Sequence, residues 1–369
     1  MTKVRCGLYR VPLAAPVSDA KVFTGRQSPL GDVDVLVVEV GTSEGLAGLG
    51  FSYSKRAGGP ALFAHARQIA PLLVGEDPLD TGRLWEKLLW AAASVGRQGV
   101  SVQAVAAFDI ALHDHKAKLA NVSLAKLLGS YRDSVRCYDT GGGFLSSDIA
   151  AVVANAERSL ARGIGGIKLK VGGNAREDVA RVKAVRQALG DHVPLMVDAN
   201  QQWDRSAARR MGRRLEEFDL VWIEEPLDAY DIEGHAALRA ALDTPIASGE
   251  MLSAASDHRR FLEAGAVDVI QPDAPRIGGI TPYRRVADLA DELGVTVAPH
   301  FATQLHVHLA AAQPREGWVE WFDWLEPLFV ERLELTDGRV TVPDRPGLGL
   351  TLGPRAAEFL LDRADLPSE

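Results

Sequence analysis

The sequence predicts an α/β protein: a closed barrel of parallel strands joined to a smaller α+β domain. Three observations predict it. Short apolar runs alternate with amphipathic helices through most of the chain, and that alternation means a parallel sheet. The runs end in polar or charged residues, as the C-terminal rim of a barrel requires. No strand leads into the G-x-G-x-x-G spacing of an open, dinucleotide-binding sheet; Gly163-Ile164-Gly165-Gly166 and Gly278-Gly279 lack it.

The elements follow in order. Residues 1–130 mix strand and helix. The run DVDVLVVEV (Asp32 to Val40) is β-branched and fits a strand, and a Gly-rich stretch follows from Leu46 to Phe51. Helical patterns occupy Pro78 to Leu128. In the segment Val102 to Leu119, Val105, Phe108, Leu112 and Leu119 approximate one face of a 3.6-residue period. From Ser134 the texture changes to eight runs: VRCYD ending at Asp139, GIKLK at Lys170, PLMVD at Asp198, VWIEE at Glu225, PIASGE at Glu250, VDVIQPD at Asp273, VTVAPH at His300 and WVEWFD at Asp323. The helices between them have readable ends. Gly190 stops the helix carrying Val179, Val182 and Leu189. Thr281-Pro282 reads as an N-cap and first helical position, with Val286, Leu289 and Leu293 as the stripe and Gly294 as the stop. The barrel is placed at 131–325, close to the lower limit of about 200 residues for that fold. The tail, 326–369, has strand-like pieces at Leu333 to Leu335 and Val340 to Val342 and a short helix. It has no further barrel unit to supply and is expected to return to the N-terminal domain.

Composition narrows the function. The chain has 369 residues, 47% apolar and 24% charged, and 41 basic against 49 acidic residues give a net charge of −8. An acidic chain of this kind is expected to bind neither nucleic acid nor an anionic membrane. Cys6 and Cys137 cannot make a disulfide framework, so a reducing, cytoplasmic setting is expected. No apolar run approaches the length of a membrane span. Met1 to Pro16 carries Lys3, Arg5 and Arg10 and lacks a basic-then-apolar signal pattern.

The acids carry the chemistry. Asp198, Glu224 and Glu250 close three successive strands, 26 residues apart each time. Neighbouring strand ends in a barrel lie about 5 Å apart, and three carboxylates that close raise one another's pKa values. A divalent cation removes the repulsion, and an all-oxygen set favours a hard ion, Mg²⁺. Singly, each acid also reads as a solvated or salt-bridged rim residue; the matched positions favour the metal. In Lys168-Leu169-Lys170 the alternation puts both lysines on one face, about 6.6 Å apart. A lysine base near neutral pH needs its pKa brought from about 10.4 towards about 7–8; a second cation and a metal act in that direction. Rim lysines that neutralise acids are the simpler alternative.

Asp273 and His300 end consecutive runs. A carboxylate beside an imidazole fixes its tautomer and supports its protonated form. Of nine histidines, His113, His115, His192, His258, His306 and His308 fall within or near helices, whereas His300 follows Pro299 at a strand end. Glu320, in Trp318-Val319-Glu320-Trp321, either shares a proton with a bound carboxylic acid or caps a helix. Asn200, two residues past Asp198, is placed to bond a substrate oxygen. Lys21, Arg26, Lys55 and Arg56 cluster in two N-terminal loops. A substrate carboxylate beyond the reach of the metal needs a cationic partner. Lys21 and Lys55 are the stronger candidates, Arg26 is retained, and Arg56 is read as structural; solvated loop charges are the alternative.

The set K-x-K, V-D-A-N, I-E-E-P, S-G-E, P-D and A-P-H, in that order, resembles the enolase superfamily, mandelate racemase subgroup, over essentially the whole chain. Asp109 to Lys118 (DIALHDHKAK) is similar to the subgroup's N-terminal signature. Ser18 to Arg26, Gly50 to Gly59, Ala93 to Arg97 and Glu320 to Leu325 resemble the L-talarate/galactarate dehydratases within it. The resemblance implies a modified TIM barrel, (β/α)7β, with an α+β capping domain over 1–130, and a homo-oligomer. It implies Mg²⁺ on Asp198, Glu224 and Glu250, with Lys170 and His300 as bases on opposite faces of the substrate. It also implies that Asp273 orients His300, that Lys168 helps hold the negative charge that develops, and that Glu320 lies beside the substrate carboxylate. The expected activity is dehydration of galactarate and L-talarate, with epimerisation. A racemase or epimerase without elimination is the nearest rival, and a non-catalytic acid-sugar barrel a second. A metal hydrolase fits three carboxylates without a histidine ligand poorly.

Overall fold

The computed structural model of the chain describes residues 1–367. Three long strands open it: β1 (Lys3–Val17), β2 (Leu30–Gly41) and β3 (Ala47–Lys55). Eight shorter strands follow: β4 (Ser134–Asp139), β5 (Gly166–Lys170), β6 (Leu195–Asp198), β7 (Ile223–Glu224), β8 (Ile246–Ser248), β9 (Val269–Ile270), β10 (Thr296–Val297) and β11 (Trp318–Trp321). The last are β12 (Leu335–Thr336), β13 (Arg339–Thr341) and β14 (Leu360–Leu366).

The first sheet is antiparallel, in the order β14-β1-β2-β3. The alternation of β2 explains its place. Val33, Val35 and Val37 join the core shared with the barrel, while Leu36, Val38 and Val40 join a second core with the helices of the same domain. A strand buried on both faces is a near-continuous apolar run, as Val35 to Val38 is at the centre of β2. The Gly-rich stretch after it is strand β3, and its glycines let a helix approach. A Cβ on Gly48 or Gly50 would sit 2.1 Å from the carbonyl oxygen of Ala111 or Ala107. Those carbonyls belong to the helix Val100–Leu119, which is buried almost all round. The expected single face is therefore too narrow, and Leu119, assigned to it, is 49% exposed.

The second sheet is the barrel. Its parallel strands run β10-β9-β8-β7-β6-β5-β4, and β11 pairs with β4. Gly317, just before β11, lies against β10, where a Cβ would be 1.9 Å from the Val297 carbonyl oxygen. Helices follow β4 to β10, whereas only a short 3₁₀ turn (Glu326–Leu328) follows β11, so the plan is (β/α)7β. Gly190 caps the helix Ala175–Leu189 as expected. The helix expected to begin at Thr281-Pro282 instead starts at Ile280, with Gly279 before it. Thr281 does not cap it: its hydroxyl and N–H donate to buried Asp109, at 2.7 and 2.9 Å, and tie the barrel to the long helix of the first domain.

The tail departs from expectation in part. Two parts of it return to the first domain: β14 pairs with β1, and before it Gly347 bridges Ser123 while the Leu348 N–H donates to Asp114 at 2.6 Å. The earlier pieces form the hairpin β12–β13, which pairs antiparallel with β4 and so extends the barrel sheet. β4 offers this free pairing edge because its parallel neighbour β5 joins only at Tyr138 and Asp139, leaving the start of β4 to β13. Residues 368–369 of that expected segment lie outside the described residues.

Candidate active site

The strand register assembles the site. Lys170 on β5 pairs with Asp198 on β6, and Asp198 with Glu224 on β7. Glu250 does not close β8, as expected from the sequence, but lies two residues beyond Ser248. Gly249 makes the turn between them at φ +140°, with its backbone against that of Gln271. One oxygen from each of Asp198, Glu224 and Glu250 lies within 4.8 Å of the others, and all three side chains are buried. Asp273 likewise stands past its strand, as the N-cap of a short helix, and His300 lies three residues beyond β10.

Side chains beneath the acids aim them. Trp222 Nε1 and Gln271 Nε2 both donate to Glu224 Oε2, at 3.0 and 2.7 Å. The Asn200 N–H donates to Asp198 Oδ1 at 2.8 Å and its amide to Oδ2 at 3.1 Å. The amide oxygen of Asn200 is buried without a partner among the described residues. Lys168 donates to Glu224 Oε1 at 2.6 Å and lies 2.9 Å from Glu320 Oε1; Lys170 donates to Asp198. Glu320 also accepts from the Thr140 hydroxyl at 2.6 Å and the Phe301 N–H at 3.0 Å, so it caps the turn after His300 as well as facing Lys168.

Burial dominates the electrostatics. It pushes the Glu224 carboxyl up to about 8; Lys168 opposes the rise, and Asp198, Glu250 and Glu320 add to it. Burial also pushes Glu250 up, but Lys21, Lys170, Lys168 and Lys55 outweigh it and hold that acid at about 2. Burial would lower Lys170, yet the Asp198 carboxylate holds it above its ordinary range while Lys168 pulls it down. The expected lowering of Lys170 is thus reversed in the protein alone, because the effect of the Asp198 carboxylate outweighs that of the second cation. His300 is depressed well below its ordinary value by burial and then by Lys55 and Arg276, which keeps the ring neutral. Burial likewise pushes Asp273 up to about 7, while Arg276, Tyr53 and Lys55 oppose the rise.

His300 Nδ1 lies 2.7 Å from Asp273 Oδ2, and its Nε2 is 3.3 Å from Glu250 Oε2. A cavity of about 310 Å³ opens over these groups, lined by Lys170, Asn200, Glu250, His300 and Glu320 from the barrel and by Lys21, Lys55 and Arg56 from the first domain. Lys21 is 3.6 Å from Asp19. Lys55 stacks 4.2 Å from the Phe301 ring centroid, with its amine 3.5 Å from His300 Nε2; burial lowers it to about 8. Arg56 donates to the Ser28 carbonyl and Asp19. Arg26 is exposed and does not line the cavity: the turn after the helix Ala20–Phe23 carries it outward. The sequence reading missed Tyr53 and Arg276, which also line the cavity. Tyr53 is two residues before Lys55 and shares its strand face; Arg276 follows Asp273 by one helical turn.

Comparison with known proteins supplies the remaining findings. Residues 151–356 match the family described as enolase C-terminal domain-like, and 16–129 match the mandelate racemase / muconate lactonizing enzyme N-terminal domain. The chain is 58% identical over 357 residues to the L-talarate/galactarate dehydratase of Salmonella typhimurium, covering 96% of this chain and 90% of that protein. It is 36% identical to the 3,6-anhydro-alpha-L-galactonate cycloisomerase of Streptomyces coelicolor, over 95% of this chain and 96% of the relative. The crystal structure of L-talarate dehydratase from Polaromonas sp. JS666, complexed with Mg and L-glucarate, superposes with a TM-score of 0.97 at 61% identity, covering 100% of this chain and 99% of that one.

Proposed function

The chain belongs to the mandelate racemase / muconate lactonizing enzyme family of the enolase superfamily, and from that premise we propose that it is a Mg²⁺-dependent acid-sugar dehydratase, a hydro-lyase acting on galactarate and L-talarate. One observation carries the reading: three buried carboxylates converge within 4.8 Å, and one of them, Glu250, lines a cavity together with Lys170 and His300.

The residues fit the metal. Asp198, Glu224 and Glu250 would hold it, and the buried Asn200 amide oxygen, without a partner among the described residues, adds a polar atom on a side chain bonded to Asp198. A Mg²⁺ ion held there would supply Lewis-acid stabilisation of a substrate carboxylate and would offset the hold of Asp198 on Lys170. Lys170 ends β5 and His300 follows β10, strands separated by β11 and β4 on one side and by four strands on the other, an arrangement that suits attack from two faces. One of them takes the proton from the carbon beside the carboxylate. Lys168, fully buried, holds charge that develops on the substrate, and Glu320 stands beside it. Where His300 is the base, the hydroxyl on the next carbon leaves as water with the proton His300 has just taken; where Lys170 is the base, His300 must first take up a proton from solvent through the open cavity. The resulting enol becomes a keto acid. Returning the proton on the other face gives the epimer. Lys21 and Lys55 serve the far carboxylate; Arg26, turned outward, is not part of this reading.

Incubation with galactarate and with L-talarate plus Mg²⁺ should yield a keto acid detectable with semicarbazide, and EDTA should abolish it reversibly. Epimer without keto acid would replace the dehydratase reading with that of a racemase. No turnover on a broad panel of acid sugars would leave only a binding barrel. A cytoplasmic homo-oligomer belongs to the same reading, the two free cysteines fitting a reducing compartment; light scattering of the purified protein tests the assembly.

A further inference from the structure

Strand β3 of the capping domain reaches the His300 system at both ends of the ring. Lys55 meets Nε2, as described. Two residues earlier on the same face, Tyr53 is 1% exposed, and its hydroxyl donates to Asp273 Oδ2. That oxygen is also the one 2.7 Å from His300 Nδ1, and the phenol oxygen is itself 3.3 Å from Nδ1. The other carboxylate oxygen, Oδ1, accepts the Arg276 N–H at 3.2 Å. The phenol ring is fixed edge-on to Phe301, with centroids 4.6 Å apart. The Gln103 amide, from the capping helix, donates to the Tyr53 carbonyl at 3.4 Å.

A carboxylate turns broadly about its last torsion, so the ring it faces is only as well aimed as its other partners allow. Arg276 holds one oxygen of Asp273 from within the barrel; the hold on the other comes from a different domain. We propose that Tyr53 is a positioning residue: its hydroxyl fixes the Asp273 carboxylate, and through it the tautomer and aim of His300, so that proton transfer at His300 requires the capping strand to be seated on the barrel. The inference rests on the reading in which His300 and Lys170 serve opposite substrate faces, and it predicts a loss confined to one face.

The test uses the full-length Mg²⁺-loaded protein in D₂O, following exchange of the α-hydrogen of each epimer by NMR. Separate His300→Asn and Lys170→Ala variants identify which epimer each group serves. Tyr53→Phe should slow exchange of the His300-dependent epimer by roughly 10- to 100-fold in kcat with KM unchanged, and leave the Lys170-dependent epimer at the wild-type rate. Equal losses on both epimers, or none, overturn the proposal. Because it acts through Asp273, Tyr53→Phe should add little to Asp273→Asn; additive losses in that double mutant also overturn it, whatever either change does to stability. An unmutated protein that exchanges neither epimer overturns the proposed function and this inference together, before any variant is made.

Discussion

Glu224 shows how much a single acid depends on what lies beneath it. Its Oε2 accepts from Trp222 and Gln271, both buried in the barrel interior, while Oε1 faces Lys168. Groups that orient metal ligands typically contribute 10–100-fold in metal affinity. Gln271→Leu, close in size and without donors, should therefore weaken Mg²⁺ binding by roughly 10- to 100-fold in calorimetric titration, with the far-ultraviolet circular dichroism unchanged. Undiminished affinity would mean that Lys168 and Trp222 suffice to aim Glu224. The three acids, the lysine pair and the Asp273–His300 pair were legible in the sequence because barrel topology sends strand ends to one rim, so position along each run is enough to gather them. Gln271, Tyr53 and Arg276 were not legible. The partners of Gln271 and Tyr53 lie on another strand or in the other domain, and no local spacing marks a residue that acts through a distant oxygen; Arg276 lies one turn past Asp273, where its sequence reads as an ordinary short-helix residue. Arg26 was misplaced for a related reason: composition shows a loop cation but not which way the turn carries it.

At the level of elements, the packing of β3 on the helix Val100–Leu119 sets the position of both Tyr53 and Lys55. Ala107 and Ala111 on the helix meet Gly50 and Gly48 on the strand, where an added Cβ would fall 2.1 Å from a carbonyl oxygen. Backbone cannot yield as a flexible side chain does, so Gly50→Ala should separate strand and helix and destabilise the protein by about 1–3 kcal/mol. A lowered midpoint in thermal or urea unfolding checks this, and an unchanged midpoint would show that the strand has room to move. If the packing positions the site as well, the variant should also lose activity at temperatures where it is still folded. The repeated βα units were readable from the sequence, since each buries its own apolar run. The Gly-rich strand was not, because two of its residues contribute no side chain to the pattern and the reason for them is a helix more than fifty residues away. The hairpin β12–β13 was read as strand but assigned to the wrong sheet; its pairing with β4 depends on where the barrel leaves an edge, which only the assembled sheet reveals.

Across the whole molecule, buried histidines tie folding to pH. His308 joins three parts of the chain. It lies on the barrel helix Thr303–Ala311, its Nδ1 accepts the Ala125 N–H at 3.4 Å, and its Nε2 is 3.2 Å from the Leu348 carbonyl oxygen in the tail. With Nδ1 accepting and Nε2–H donating, only the neutral ring fits, since a proton on Nδ1 would face an N–H. Burial lowers His308 to about 4, and does the same to His258 and His306. Between the unfolded value of about 6.5 and 4, the unfolded chain binds protons that the fold refuses. The contribution is fully present above that range, and stability falls as pH drops through it. Asp178 acts in the opposite sense: burial raises it to about 6, so the folded state takes up a proton there before the unfolded chain does. The net slope therefore mixes signs, but the difference between two proteins isolates one group. In urea unfolding at intervals from pH 7 to 4.5, His308→Gln should lower stability at pH 7, where two hydrogen bonds of the neutral ring are disturbed. It should also reduce the pH slope near pH 5 by about one proton per molecule. Parallel curves for the two proteins would mean that His308 is protonated in the fold, and that the contact between tail and barrel helix tolerates its charge.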